Sequence, residues 1–254
     1  MSQAVKMLGG GPAGSPQVLA TGIEQAVDPL YLASRIALRP LDYTGAGAVL
    51  GHYAVAQKSG NTVSLSAASP VGRIRWAPSA ALNNVFCVLM RLKVGWAVQA
   101  AVTAAVQMDF DAIIARGFTV DFSSNLTSAN MAAVPRTNSM RSGQGLGAMG
   151  SSQMGTSGPG ICTTAALSGQ TYTLDANPFA ITCFNTPAIV TGTVTVPVGI
   201  SGGMQTLYEW TGLGQHPVVL SPNEGVILRE VTAGVVTGAV SIYAQWEWAE
   251  VNVF

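Results

Sequence analysis

The segment Val240–Val251, V-S-I-Y-A-Q-W-E-W-A-E-V, alternates apolar and polar residues with a period of two. Val240, Ile242, Ala244, Trp246 and Trp248 share one face of an extended chain, and Ser241, Tyr243, Gln245 and Glu247 share the other. A helix would scatter these residues around its axis, so the segment is a strand with one face in a core. Upstream lies a second apolar run, H-P-V-V-L-S-P-N-E-G-V-I-L-R-E, from His216 to Glu230, and a Gly/Thr-rich break joins the two. The expectation is a C-terminal hairpin. Asn223-Glu224-Gly225 reads as a tight turn, with Gly225 supplying a positive φ.

Further strands are expected at 49–57, 62–67, 71–76 and 85–94, punctuated by Gly60-Asn61 and Ser69-Pro70. In the last of these Phe86, Val88, Met90, Leu92 and Val94 alternate with Arg91 and Lys93. Residues 97–106 are alanine-rich and also fit a helical face. From Val106 the period is two, with Met108, Phe110, Ala112 and Ile114 on one side and Gln107, Asp109 and Asp111 on the other. A hairpin or wide turn over 95–103 joining two long strands accounts for this switch. Strands return at 171–175, 178–184 and 189–198, with a loop over 204–215. The expected fold class is all-β, a β-sandwich or jelly roll of eight to ten strands in one domain over 23–254. Residues 1–22 carry two Gly/Pro clusters and read as an extended arm, 23–40 as a short helix or turn near Asp28–Leu32, and 137–160, dominated by Gly, Ser, Gln and Met, as a long surface loop.

Composition narrows the function. Only 9% of the 254 residues are charged and the formal net charge is zero, where a soluble domain carries about 25% charged residues. So little charge leaves a large monomer surface weakly solvated. The chain either lies in a membrane or buries its surface against other subunits. The longest apolar run, Ala97–Val106, is about half the roughly 20 residues a spanning helix needs, which favours assembly and no membrane. Zero net charge gives no nucleic-acid footprint. The N-terminal sequence lacks a continuous apolar core, so the expectation is a protein made in the cytoplasm without a signal peptide. Cys87, Cys162 and Cys183 have no C-x-x-C spacing and are expected to be buried, reduced thiols.

Few residues invite chemistry. His52 and His216 are far apart in sequence, with no third partner for a nucleophilic triad. Asp109 and Asp111 could hold calcium or work as an acid–base pair, with Asp121 as a third carboxylate; the plainer reading is the solvent face of a strand. Glu209, Glu247 and Glu250 are further carboxylates whose geometry, like that of Asp121, the sequence does not give. Arg73 with Arg75, and Arg91 with Lys93, read as solvated strand faces. Gly9–Gly14 lacks the strand and helix of a phosphate loop, and Asn125-Leu126-Thr127 is a chance glycosylation match. Trp246 and Trp248 fit a core better than a sugar platform. No catalytic, cofactor-binding or metal residue is assigned, and no enzyme activity is expected.

The order R-I-R-W (73–76), V-T-A-A-V-Q-M-D-F-D-A-I-I-A-R-G-F-T (102–119), Y-T-L-D-A-N-P-F (172–179), G-Q-H-P-V-V-L-S-P-N-E-G-V-I-L-R (214–229) and a closing W-E-W-A-E-V resembles small virion proteins of tailed bacteriophages. The resemblance covers residues 71–254 and departs from that pattern in the loop at 141–160. It implies a virion structural protein, a capsid decoration or cement protein that forms a homo-oligomer, a trimer, on the major capsid protein or other virion proteins. The alternatives are a tail, baseplate or fibre-associated protein and a virion carbohydrate-binding module.

Overall fold

The computed structural model describes residues 17–18, 24–27, 34–35, 49–62, 65–78, 85–99, 108–129, 154, 158–182, 184, 201–211, 216–233 and 240–251. The chain divides into two units, Met1–Tyr43 and Thr44–Phe254. The first holds a small antiparallel sheet of β1 (Gln17–Val18), β2 (Glu24–Val27) and β3 (Ser34–Arg35), in that order. Of the segment 23–40, residues 24–27 and 34–35 are strand; the helix or turn expected near Asp28–Leu32 lies outside the described residues. A single helical turn leaves most of its backbone polar groups unpaired, whereas strand pairing supplies partners.

In the second unit two antiparallel sheets pack face to face around one core, a β-sandwich, and no helix occurs among the described residues. The first sheet runs β10 (Thr171–Leu174), β7 (Phe110–Val120), β14 (Glu224–Glu230), β5 (Pro70–Trp76), β9 (Gly160–Cys162), β8 (Leu126–Ser128), and β11 (Ala180–Thr182) also pairs with β7. The second runs β12 (Gln205–Glu209), β6 (Phe86–Val98), β15 (Val240–Val251), β4 (Val49–Lys58), and β13 (Val218–Leu220) also pairs with β6.

Successive long strands change sheets: β4 to β5, β5 to β6, β6 to β7 and β14 to β15 all cross the sandwich. This corrects both expected hairpins. The strands flanking 95–103 lie in different sheets, as do β14 and β15. The reason is burial. Val226, Ile227 and Leu228 of β14 are all fully buried, so β14 needs cover on both faces and neighbours on both edges, and it takes β5 and β7. The apolar face of β15 then lies in the same core from the other layer, with Trp246 and Trp248 at 0% exposure. Tyr53 of β4 stacks on Trp248 at 5.5 Å and 24°.

A β-bulge corrects the pattern expected for β6. Trp248 is opposite Leu89 and Glu247 is opposite Arg91, so Met90 is the extra residue. An extra residue reverses the alternation. Phe86, Val88 and Met90 therefore form a small outer cluster with Ala249, Val251 and Val219, while Leu92, Val94, Trp96 and Val98 enter the main core. Strand also continues to Val98, past the expected turn at 95.

Three other expectations change. Residues 62–67 are not a strand where described: Thr62 makes one bridge to Val240, and the Ser69 N–H bonds the Ser66 carbonyl in a turn that re-aims the chain into β5. The expected loop over 204–215 contains β12, because Gln205–Glu209 finds the open edge of β6. Within the expected surface loop at 137–160, Met154 is fully buried in the core and Gly160 opens β9; the other residues up to 157, except Met154, lie outside those described, as do 189–198.

Candidate functional site

Four of the carboxylates singled out from sequence, Asp111, Asp121, Glu209 and Glu247, are held by arginines. Asp111 was expected on a solvent face and is 4% exposed. Its cross-strand neighbour is Arg229 of β14, which donates to it through Nε (2.9 Å) and Nη2 (2.6 Å). A bidentate guanidinium supplies the donors that water would, so the carboxylate can be buried. Asp121 receives the same fork from Arg73, at 2.9 and 2.5 Å. Arg73 is fully buried and also reaches Ser128 Oγ at 3.1 Å. Arg75 donates to the carbonyls of Phe118 and Thr119 and lies over the Phe118 ring. The expected solvated face of Arg73 and Arg75 is thus a set of internal ties holding β5 to the end of β7.

Arg91 binds Glu247 at 2.5 Å and Glu209 at 3.6 Å. Arg116 binds Asp175 and Glu224. Four arginines therefore answer six carboxylates among the described residues. These groups are fixed opposite their counter-ions, which is the reverse of what an acid–base pair needs. Among the described residues no group of three or more His, Cys, Asp or Glu is placed to hold a metal ion.

The histidines sit at opposite edges of the second sheet. His52 is on β4, and exposed His216 precedes β13, with β6 and β15 between those strands. Cys87 and Cys162 are buried free thiols. Burial, helped by nearby Glu250, pushes the Cys87 thiol far up; burial pushes Cys162 up to about 12. Neither is a nucleophile at neutral pH. Cys183 and Gly9–Gly14 lie outside the described residues. Trp246 and Trp248, weighed as a sugar platform, are core residues.

The turn before β14 is real, but its mechanics differ from expectation. Asn223, not Gly225, carries the positive φ, 65°. The Glu224 N–H bonds the Ser221 carbonyl at 2.9 Å, and Glu224 Oε2 accepts from the Ser221 N–H at 2.9 Å. Gly225 is required for a different reason: a Cβ there would lie 2.5 Å from the Ile74 carbonyl oxygen and 2.8 Å from the Phe118 ring. Asn125 likewise has a φ of 59°, and its Nδ2 donates to the Ala166 carbonyl, so it is a turn residue.

Two features escaped the sequence reading. The first is a shallow groove of about 400 Å³ on the outer face of the second sheet, lined by Gly95, Ala97, Ser201, Gly203, Met204 and Tyr243. Gly95 makes it, because the Gly203 carbonyl oxygen lies 2.4 Å from where a Cβ would stand. The Lys58 ammonium lies 5.6 Å from the Tyr243 ring centre at its side. A glycine inside V-G-W was the available signal. Its described lining offers an aromatic wall and hydroxyls.

The second is Glu230. It follows Val226 and Leu228 at the inward phase of β14 and is fully buried. Neither carboxyl oxygen has a hydrogen-bond partner among the described residues. Burial pushes its acid up to about 9, and Asp109 adds to the shift; the Asp109 N–H opposes it without reaching hydrogen-bond geometry. Asp109, expected in solvent, is 9% exposed. Thus Asp109 and Asp111 do not act as a pair: one adjoins Glu230, and the other is clamped by Arg229.

Compared with known proteins, the chain matches no family model, no curated protein and no solved structure.

Proposed function

We propose that the chain is a structural protein of a tailed-bacteriophage virion, a capsid decoration or cement protein that assembles with copies of itself as a trimer and bridges subunits of the major capsid protein. The observation that carries this reading is the matching of six carboxylates by Arg73, Arg91, Arg116 and Arg229. In a chain with 9% charged residues, these pairs neutralise ten of the 24 charged side chains. Charge is depleted at the centres of protein interfaces for the same reason: burying it is costly. Function is then passive, with weak contacts repeated by symmetry and summed as avidity.

The strand order supports the same reading. Orders of β12-β6-β15-β4 and β10-β7-β14-β5, the latter extended by β9 and β8 and reached by crossing the sandwich at most steps, we read as a jelly roll with added strands, a fold used by viral capsid and lectin domains among others. That support is an analogy of fold. The resemblance of residues 71–254 to virion proteins adds to it. A tail, baseplate or fibre position is compatible with the same surface. The groove beside Tyr243 favours a second reading, a virion carbohydrate-binding module, since a ring could stack there.

Mass spectrometry of purified heads and tails tests the location, and size-exclusion chromatography with light scattering tests the assembly. The expected result is the chain in heads and a homo-oligomer in solution. Absence from virions, or a stable monomer at all concentrations, would overturn the proposal. Retention on a glycan array, lost in Tyr243→Ala, would favour the second reading.

A further inference from the structure

Glu230 occupies the last rung of β14, the central strand of the first sheet, where the chain leaves toward the second sheet. It faces Phe110 across the β7 ladder. Its N–H donates to the Ser69 carbonyl at 2.9 Å, and the Val231 N–H donates to the Asp109 carbonyl at 2.7 Å. The strand end is thus tied on both sides by backbone bonds, around a carboxyl group with no exposed surface and no hydrogen-bond partner among the described residues. The charged neighbours are already committed. On its own strand Arg229 holds Asp111 and Glu224 holds Arg116. On β5, Arg73 holds Asp121 and Arg75 holds backbone carbonyls. In the second sheet Glu250 is buried beside Trp248 and Cys87. Among the described residues the one charge that acts on Glu230 is Asp109, and it is negative.

We propose that Glu230 and Asp109 form a proton-operated latch: the sandwich holds the end of β14 in place while Glu230 keeps its proton, and loosens there when the proton is lost. An ionised Glu230 would be a buried charge beside a second carboxylate, with no cation to answer it, and water entry through the strand end is the simplest relief. The folded acid is raised from 4.5 to about 9. The unfolded chain therefore releases this proton from about pH 4.5 upward while the folded protein keeps it. The stability contributed is fully present below pH 4.5 and is lost progressively as pH rises to about 9. Within that window the folding equilibrium weakens by up to about tenfold per pH unit.

The test compares thermal unfolding of the full chain and its Glu230→Gln variant at pH 5, 7 and 9, after dialysis against a chelator. The two midpoints should be close at pH 5, and the variant should become steadily the more stable of the two toward pH 9. The infrared carbonyl stretch of a protonated carboxyl should be present in the wild type at pH 7, fade near pH 9, and be missing from the variant. Asp109→Asn should move that fading to lower pH. The infrared titration decides the matter even if Glu230→Gln does not fold. A wild-type spectrum without that band at pH 7 would overturn the latch. So would a midpoint raised by calcium or magnesium chloride in the wild type alone, which would make a cation the neutralising group, and so would a pH profile identical in the two proteins.

Discussion

Asp121→Asn is the sharpest probe of how this sandwich is held. The substitution keeps the size of the side chain and removes its charge. Arg73 is then left fully buried with Ser128 and an amide in place of a carboxylate. Breaking a buried ion pair by removing one partner costs about 3–5 kcal/mol, because the remaining charge stays out of water. The Asp121 side chain is 23% exposed, so water offers partial relief and the lower end, about 3 kcal/mol, applies. For a domain of this size that lowers the unfolding midpoint by about 6–12 °C. The double variant Arg73→Met, Asp121→Asn removes the stranded charge and should recover much of the loss. Thermal and urea unfolding followed by circular dichroism supply all four corners of the cycle. Arg116→Ala is the control: Arg116 is 57% exposed, and its removal should cost about 1 kcal/mol or less, a midpoint shift of no more than about 4 °C. An Asp121→Asn midpoint as close to wild type as the control would refute the claim that this pair is a buried clamp.

Three further outcomes are expected. Gly95→Ala should destabilise the protein by about 1–3 kcal/mol in the same assay, since its Cβ would meet the Gly203 carbonyl at 2.4 Å. Trp246→Ala should cost about 3–5 kcal/mol through a cavity in the core; a loss under about 1 kcal/mol would place the side chain at the surface. Cys87 and Cys162 should be silent to a thiol reagent in the native protein at pH 8, so at most one of the three cysteines reacts before denaturant is added; rapid reaction of two would contradict their burial.

The inward face of β15 was legible from sequence because a two-residue period survives in any sheet that buries one face. The strands β4, β5 and β10 were legible for a related reason: each is bounded by Gly, Pro, Ser or Asn. The parity of β6 was not, because a bulge at Met90 is defined by the partner strand and leaves no mark in the apolar pattern. The burial of Glu230 was not legible, since a glutamate ending an apolar run usually marks a strand leaving the core. Its burial depends on Phe110 and Asp109, more than a hundred residues earlier in the chain.

The amino-acid sequence alone determined that this chain is all-β, poor in charge and without a legible catalytic constellation, because local periodicity and composition carry that information. Only the tertiary structure decided which strands pair, that β14 and β15 lie in opposite sheets, and which charges meet. Alternation states which face a strand buries; it does not state the partner. Partners are chosen by long-range burial, and here that choice turned apparent surface arginines and aspartates into internal clamps and left Glu230 buried without a counter-charge among the described residues.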